Sequence, residues 1–98
     1  MNFANIVAAD QRLVILRALA EDRGYSMNES VLQQVLDMFG HKESRDRVKA
    51  ELRWLEEMGL ITIENVSGVL VATLTSRGAD VASGAAQVDG VKRPRPRG

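Results

Sequence analysis

Residues 5–22, NIVAADQRLVILRALAED, contain no glycine or proline, and their apolar positions Ile6, Val7, Leu13, Val14, Ile15, Leu16 and Leu19 cover more than one stripe of a helical wheel. The pattern predicts a long first helix, closed by Gly24, that is either buried centrally or shared with a second subunit. SMNE, residues 26–29, matches a capping box, in which the Ser side chain and the Glu three residues later each satisfy an orphan backbone donor. A second helix is therefore expected from about Met27, with Val31, Leu32, Val35, Leu36 and Phe39 on its apolar face and Gly40 as its stop. After the short connection GHKE, Ser44 is placed to cap a third helix, whose Val48, Leu52, Leu55 and Met58 form one stripe with Trp54 at its margin and Gly59 at its end.

Beyond Gly59 the period changes. LITIEN and VLVATLT are rich in β-branched residues and NVSG between them reads as a hairpin turn, so two antiparallel strands are expected. Thr75 is placed to cap a short closing helix, SRGADVAS, weakened by Gly78 and ended near Gly84. The last stretch, AAQVDGVKRPRPRG, has few bulky apolar side chains, and its prolines forbid regular helix, so residues 84–98 are expected to form a mobile tail after a domain spanning 1–83.

Three helices, a two-stranded hairpin and a short helix, with a tight second connection, give a mainly α architecture with a small β-hairpin. Val48, Leu52, Leu55, Glu56, Gly59, Leu60 and Ile61, followed by Leu74, Thr75, Gly78 and Val81, resemble the recognition-helix, wing and closing-helix signature of the winged helix-turn-helix superfamily, as in the bacterial ArsR-like and MarR-like regulators. The resemblance covers roughly residues 10–83. Its size and basic Pro-Arg ending are also similar to those of the small winged-helix proteins of Mu-like bacteriophages, which implies a phage or prophage origin. The superfamily resemblance implies a transcriptional regulator whose third helix enters the DNA major groove and which acts as a homodimer through its first and closing helices.

Charge alters this picture more than composition does. The formal net charge of the 98 residues is zero, yet residues 1–83 hold nine Lys or Arg against twelve Asp or Glu, while the tail holds Lys92, Arg93, Arg95 and Arg97 against Asp89 alone. Nucleic-acid binding would thus rest on local patches. Without cysteine, thiolate metal sites, thiol nucleophiles and disulfides are excluded, and a reducing cytoplasm is the expected location. The longest apolar runs fall well short of the roughly 20 residues of a membrane-spanning helix, and Asp10 and Arg12 interrupt the N-terminal run that a signal peptide would need.

On the third helix, Arg45, Asp46, Lys49, Arg53, Glu56 and Glu57 occupy the face opposite Val48, Leu52 and Leu55, basic in its first half and acidic in its second. Arg45 and Lys49 are the candidates for base-edge contacts, with Arg53 beside them, and Lys42 and Ser44 at the helix start could hold a phosphate. Pairing of Asp46 with Lys49, Arg47 with Glu51, and Arg53 with Glu56 or Glu57 would instead make this an ordinary solvated face. Arg45 has a basic neighbour one turn on, Lys49, so the two repel unless an anion lies between them. The wing, ENVSG at residues 64–68, carries no cation, and Glu64 would meet phosphate unfavourably. The tail cations could replace that anchor by tracking the backbone in extended form. The acidic core and wing favour the alternative, a non-enzymatic module that keeps the fold but binds a protein partner, and fold alone does not choose between the two. His41 reads as a turn residue close to any bound phosphate; with no metal cluster, cofactor motif or catalytic constellation, enzymatic activity is not expected.

Overall fold

The computed structural model describes residues 2–96. Its elements run α1 (Phe3–Glu21), β1 (Ser26–Asn28), α2 (Glu29–Met38), α3 (Arg45–Glu57), β2 (Ile61–Val66), β3 (Val69–Leu74) and α4 (Ser76–Ser83). Together they form an α+β domain in which four helices pack against a three-stranded antiparallel sheet of order β1-β3-β2. No helix among the described residues is long and apolar enough to cross a membrane.

The core joins every helix to the sheet. Ile15, Leu16 and Leu19 of α1 meet Leu32 and Leu36 of α2, Val48, Leu52 and Leu55 of α3, Ile61 of β2, Leu70 and Ala72 of β3, and Val81 and Ala82 of α4. The breadth of the apolar surface on α1 is thereby explained for most of its length: that helix is central and touches α2, α3, α4 and β3. Its first turn is different, because Phe3 and Ile6 remain exposed.

Several local expectations hold at the level of single atoms. Ser44 Oγ accepts from the Arg47 amide (3.1 Å) and starts α3, and Thr75 Oγ1 accepts from the Gly78 amide (3.0 Å) and starts α4. Gly59 and Gly84 take the left-handed conformation that ends α3 and α4. The hairpin register pairs Val66 with Val69 across the two-residue turn Ser67-Gly68, both at positive φ, as a tight turn matched to strand twist requires.

Other expectations are corrected. The hairpin does not stand alone: residues 26–28 form a third strand antiparallel to β3, with Ser26 opposite Thr73 and their hydroxyls 3.0 Å apart. Ser26 therefore does not cap α2. Asn28 does, its Oδ1 accepting from the Val31 amide (2.9 Å), because the backbone of Ser26 is committed to the sheet. The left-handed residue after α1 is Tyr25, at φ 58°, not Gly24. Asp22 secures that loop by accepting from the amides of Gly24 and Ser26. Phe39 and Met58, expected within apolar stripes, sit instead at the C-caps of their helices and are exposed.

From Gly84 onward, where a mobile tail is expected, the chain doubles back over α1. Ala86, Val88 and Val91 pack against the core, the Lys92 amide donates to the Ala9 carbonyl (3.1 Å), and Arg12 Nη1 donates to the Gly90 carbonyl (3.0 Å). Gly90, at φ 97°, presses on Trp54 so closely that a Cβ there would lie 2.7 Å from the ring. The indole is held from its other contact by Arg12, whose guanidinium carbon stands 3.8 Å from the ring centroid, within the range of a cation–π interaction. Trp54 is thus an internal packing residue.

Candidate nucleic-acid interface

The polar face of α3 is built by the packing of its other side. Val48, Leu52 and Leu55 are fully buried, which forces Arg45, Lys49 and Arg53 outward. Ser44 sits exposed at the start of the helix, and Lys42 is exposed in the connection that precedes it. Lys42 and Arg45 line one depression with Gln33, Lys49 lies one turn beyond Arg45, and Arg53 follows a further turn along α3.

Only part of their pairing was legible in the sequence. Arg53 pairs with Glu56 (3.1 Å) and Arg47 with Glu51 (3.0 Å), as helical spacing predicts. Arg45 and Lys49, however, both turn to Glu29 at the first position of α2, at 3.4 and 3.7 Å from its Oε1. Asp46, the expected partner of Lys49, is replaced by this more distant carboxylate. Glu29 is only 2% exposed, and its second oxygen accepts from the buried Leu70 amide of β3 (2.8 Å). Burial alone would raise its pKa; the Leu70 hydrogen bond, the hydrogen bond from Arg45 and the charges of Lys49 and Arg45 outweigh that and hold it below the ordinary carboxylate value. The anion that the Arg45–Lys49 pair requires is therefore supplied from inside the protein.

A second tie fixes Arg45. Its Nε donates to Gln33 Oε1 (2.8 Å), and Gln33 Nε2 donates to the Glu43 carbonyl (2.8 Å). One amide side chain of α2 thus bridges the α2–α3 connection and the first cation of α3. Arg45 and Lys49 still keep 44% and 40% of their side-chain surface open, so donors remain for an external ligand.

The tail cations lie elsewhere. Gly90 meets α3 at Trp54, nine residues and about two and a half turns from Arg45, on the opposite side of the helix. Lys92 is 3.3 Å from Asp10 of α1, and Arg93 and Arg95 are exposed along the flank formed by α1 and α2. Arg97 lies outside the described residues. The structure accordingly brings Arg45 together with Lys42 and with Lys49, while Arg53 pairs with Glu56 further along the helix and the described tail cations lie apart.

His41 and Asp10, placed on separate elements in the sequence, meet at 2.6 Å. Asp10 holds both His41 and Lys92 and so joins α1, the α2–α3 connection and the C-terminal segment. Burial raises the Asp10 pKa, but the hydrogen bonds and charges of His41 and Lys92 bring it below its ordinary value. Among the described residues, no group of three or more His, Cys, Asp or Glu is arranged to hold a metal ion.

A small α+β domain of four helices on a three-stranded antiparallel sheet, with exposed cations along the first part of α3, is what these observations define. No family model matches the chain. It is 56% identical over 93 residues to the uncharacterized protein gp26 of Escherichia phage Mu, covering 95% of this chain and 96% of that one. An uncharacterized protein of Haemophilus influenzae is 50% identical over 78 residues, covering 79% of this chain and 76% of that protein. The chain belongs to the family of the phage Mu protein gp26.

Proposed function

We propose that the protein is a DNA-binding winged-helix protein of phage or prophage type, a transcriptional regulator whose α3 enters the major groove and which acts as a homodimer. The observation that carries this reading is the array at the head of α3: a Ser44-capped helix start followed by Arg45, Lys49 and Arg53 on the outward face, with Lys42 before them. The cap leaves other backbone donors of the first turn directed outward, which suits a phosphate, while long cationic side chains one turn apart suit base edges and backbone. Close similarity to a phage Mu protein supports the proposed origin. The exposed Phe3 and Ile6 support self-association through the start of α1.

The tail cations Arg93 and Arg95, exposed on the flank of α1 and α2, contribute by tracking the backbone beyond the α3 contact. Mobility-shift titration on mixed duplex DNA over a salt series tests the reading with the intact chain and with Arg45→Ala combined with Lys49→Ala. Intact protein should bind with an affinity that falls steeply with salt, and the double variant should lose the sequence-selective component. Absence of binding by the intact chain at low salt rejects it.

A second reading, a protein-binding module of the same fold, is favoured by one feature: Met38 and Phe39 expose 80% and 64% of their surface at the end of α2, Met38 toward Lys42 and Arg45 and Phe39 toward the flank of α1. Under that reading, the double variant leaves partner binding intact, and Phe39→Ala abolishes it.

A further inference from the structure

We propose that Glu29 is a built-in attenuator of the α3 surface, setting how much of the charge on Arg45 and Lys49 a nucleic-acid phosphate encounters. The inference rests on the DNA reading above and concerns regulation of that same surface.

A carboxylate and a phosphate compete for the same donors. Here the carboxylate cannot withdraw: it is 2% exposed, one oxygen is fixed by the Leu70 amide at 2.8 Å, and it belongs to the first turn of α2, where the helix dipole favours a negative charge. The other oxygen faces Arg45 Nη1 at 3.4 Å and Lys49 Nζ at 3.7 Å. Both distances exceed those of a close charge-assisted hydrogen bond, so Glu29 holds the two cations loosely while neutralising one of their two charges. A phosphate approaching from solvent finds the pair with a net charge of one and the repulsion of a buried carboxylate behind it. Low local dielectric strengthens that repulsion relative to the same charges in water.

Glu29→Gln separates charge from architecture. The amide oxygen can still accept from Leu70, and the side chain has nearly the same shape, but the negative charge is gone. Affinity for duplex DNA at about 50 mM salt should rise roughly tenfold, and the slope of log affinity against log salt should steepen by about one, the release of one further counterion. If Glu29 instead serves to pre-position Arg45 and Lys49 for DNA, the variant binds more weakly, and the proposal is overturned; unchanged affinity and slope also overturn it. Weak binding by the intact protein at low salt beside tight binding by the variant supports attenuation in its strongest form. If neither binds, the DNA reading falls and this proposal with it, whereas tight binding by the intact chain with no gain in the variant removes this proposal alone.

A measurement on the unmodified protein covers the case in which the variant does not fold. On titration with duplex DNA, the backbone amide resonance of Leu70 should shift together with the Arg45 side-chain NεH, because a phosphate that draws on Arg45 and Lys49 redistributes the carboxylate that Leu70 donates to. Shifts confined to solvent-facing residues of α3, with Leu70 unmoved, would show that Glu29 is no part of the exchange.

Discussion

Gly78 of α4 lies so close to the backbone of Leu60 that a Cβ added to it would stand 2.0 Å from the Leu60 carbonyl oxygen and 2.7 Å from Leu74 Cδ1. Read from sequence, this glycine weakens the closing helix; in the structure it is the condition for that helix to reach the sheet at all. Gly78→Ala should destabilise the fold by about 2–3 kcal/mol, since the nearest obstacle is backbone and cannot rotate away. Denaturant unfolding measures it, and a variant as stable as the parent would mean that α4 sits further out than described.

The C-terminal segment should contribute to stability as well as charge. Removing residues 85–98 strips Val88 and Val91 from the core and should cost about 2–4 kcal/mol. Gly90→Ala should detach the same segment at lower cost, about 1–2 kcal/mol, because its left-handed backbone and the Trp54 ring both oppose a Cβ. Thermal unfolding, with Trp54 fluorescence as the probe, distinguishes a packed segment from a free one: a free tail leaves both midpoint and spectrum unchanged.

Arg12 concentrates three interactions in one side chain, namely a 2.7 Å pair with the buried Glu51, the stacking on Trp54 and the hydrogen bond to Gly90. Arg12→Met keeps the aliphatic stem but leaves Glu51 with Arg47 alone. A loss of about 3 kcal/mol is expected, most of it from the poorly compensated carboxylate. Adding Glu51→Gln should recover part of that loss, which a double-mutant cycle reads directly.

Acid should destabilise the protein through Glu29 and Asp10. Both carboxylates are held below their ordinary values of 4.5 and 3.8 in the folded chain. In the acid range the unfolded state therefore binds more protons than the folded state, so their contribution is complete above about pH 5 and is lost as pH falls through the depressed folded values. Stability measured from pH 6 to pH 2 should show this decline, shallower in Glu29→Gln and in Asp10→Asn than in the parent. A parallel slope in Glu29→Gln would mean that Glu29 is not the residue responsible.

What could be read from the sequence was what short-range chemistry determines. Ser44, Thr75, Gly59 and Gly84 act within one turn of their own positions, and the Ser67-Gly68 turn is set by its immediate backbone. The third strand escaped because three residues are too few for an alternating pattern, and because Ser26 and Asn28 offer competing cap signals two positions apart. Exposed cations on α3 could be named, but Glu29 could not be assigned to them, since it acts across two helices and reaches β3 as well. Residues 85–92 escaped for a related reason: their apolar side chains are small and widely spaced, and their anchors are the Ala9 carbonyl, the side chains of Asp10 and Arg12, and a glycine against Trp54.

Strand β1 also bears on how the hairpin can meet anything. Its ladder to β3, the Ser26–Thr73 hydroxyl contact and the bond from the Leu74 amide to the Tyr25 carbonyl (2.8 Å) tie the base of the hairpin to the chain just before α2. The hairpin is one edge of a braced frame that also carries Glu29 and, through it, the head of α3. A displacement of the hairpin would therefore reach the head of α2 first, and the cations of α3 through Glu29 after it.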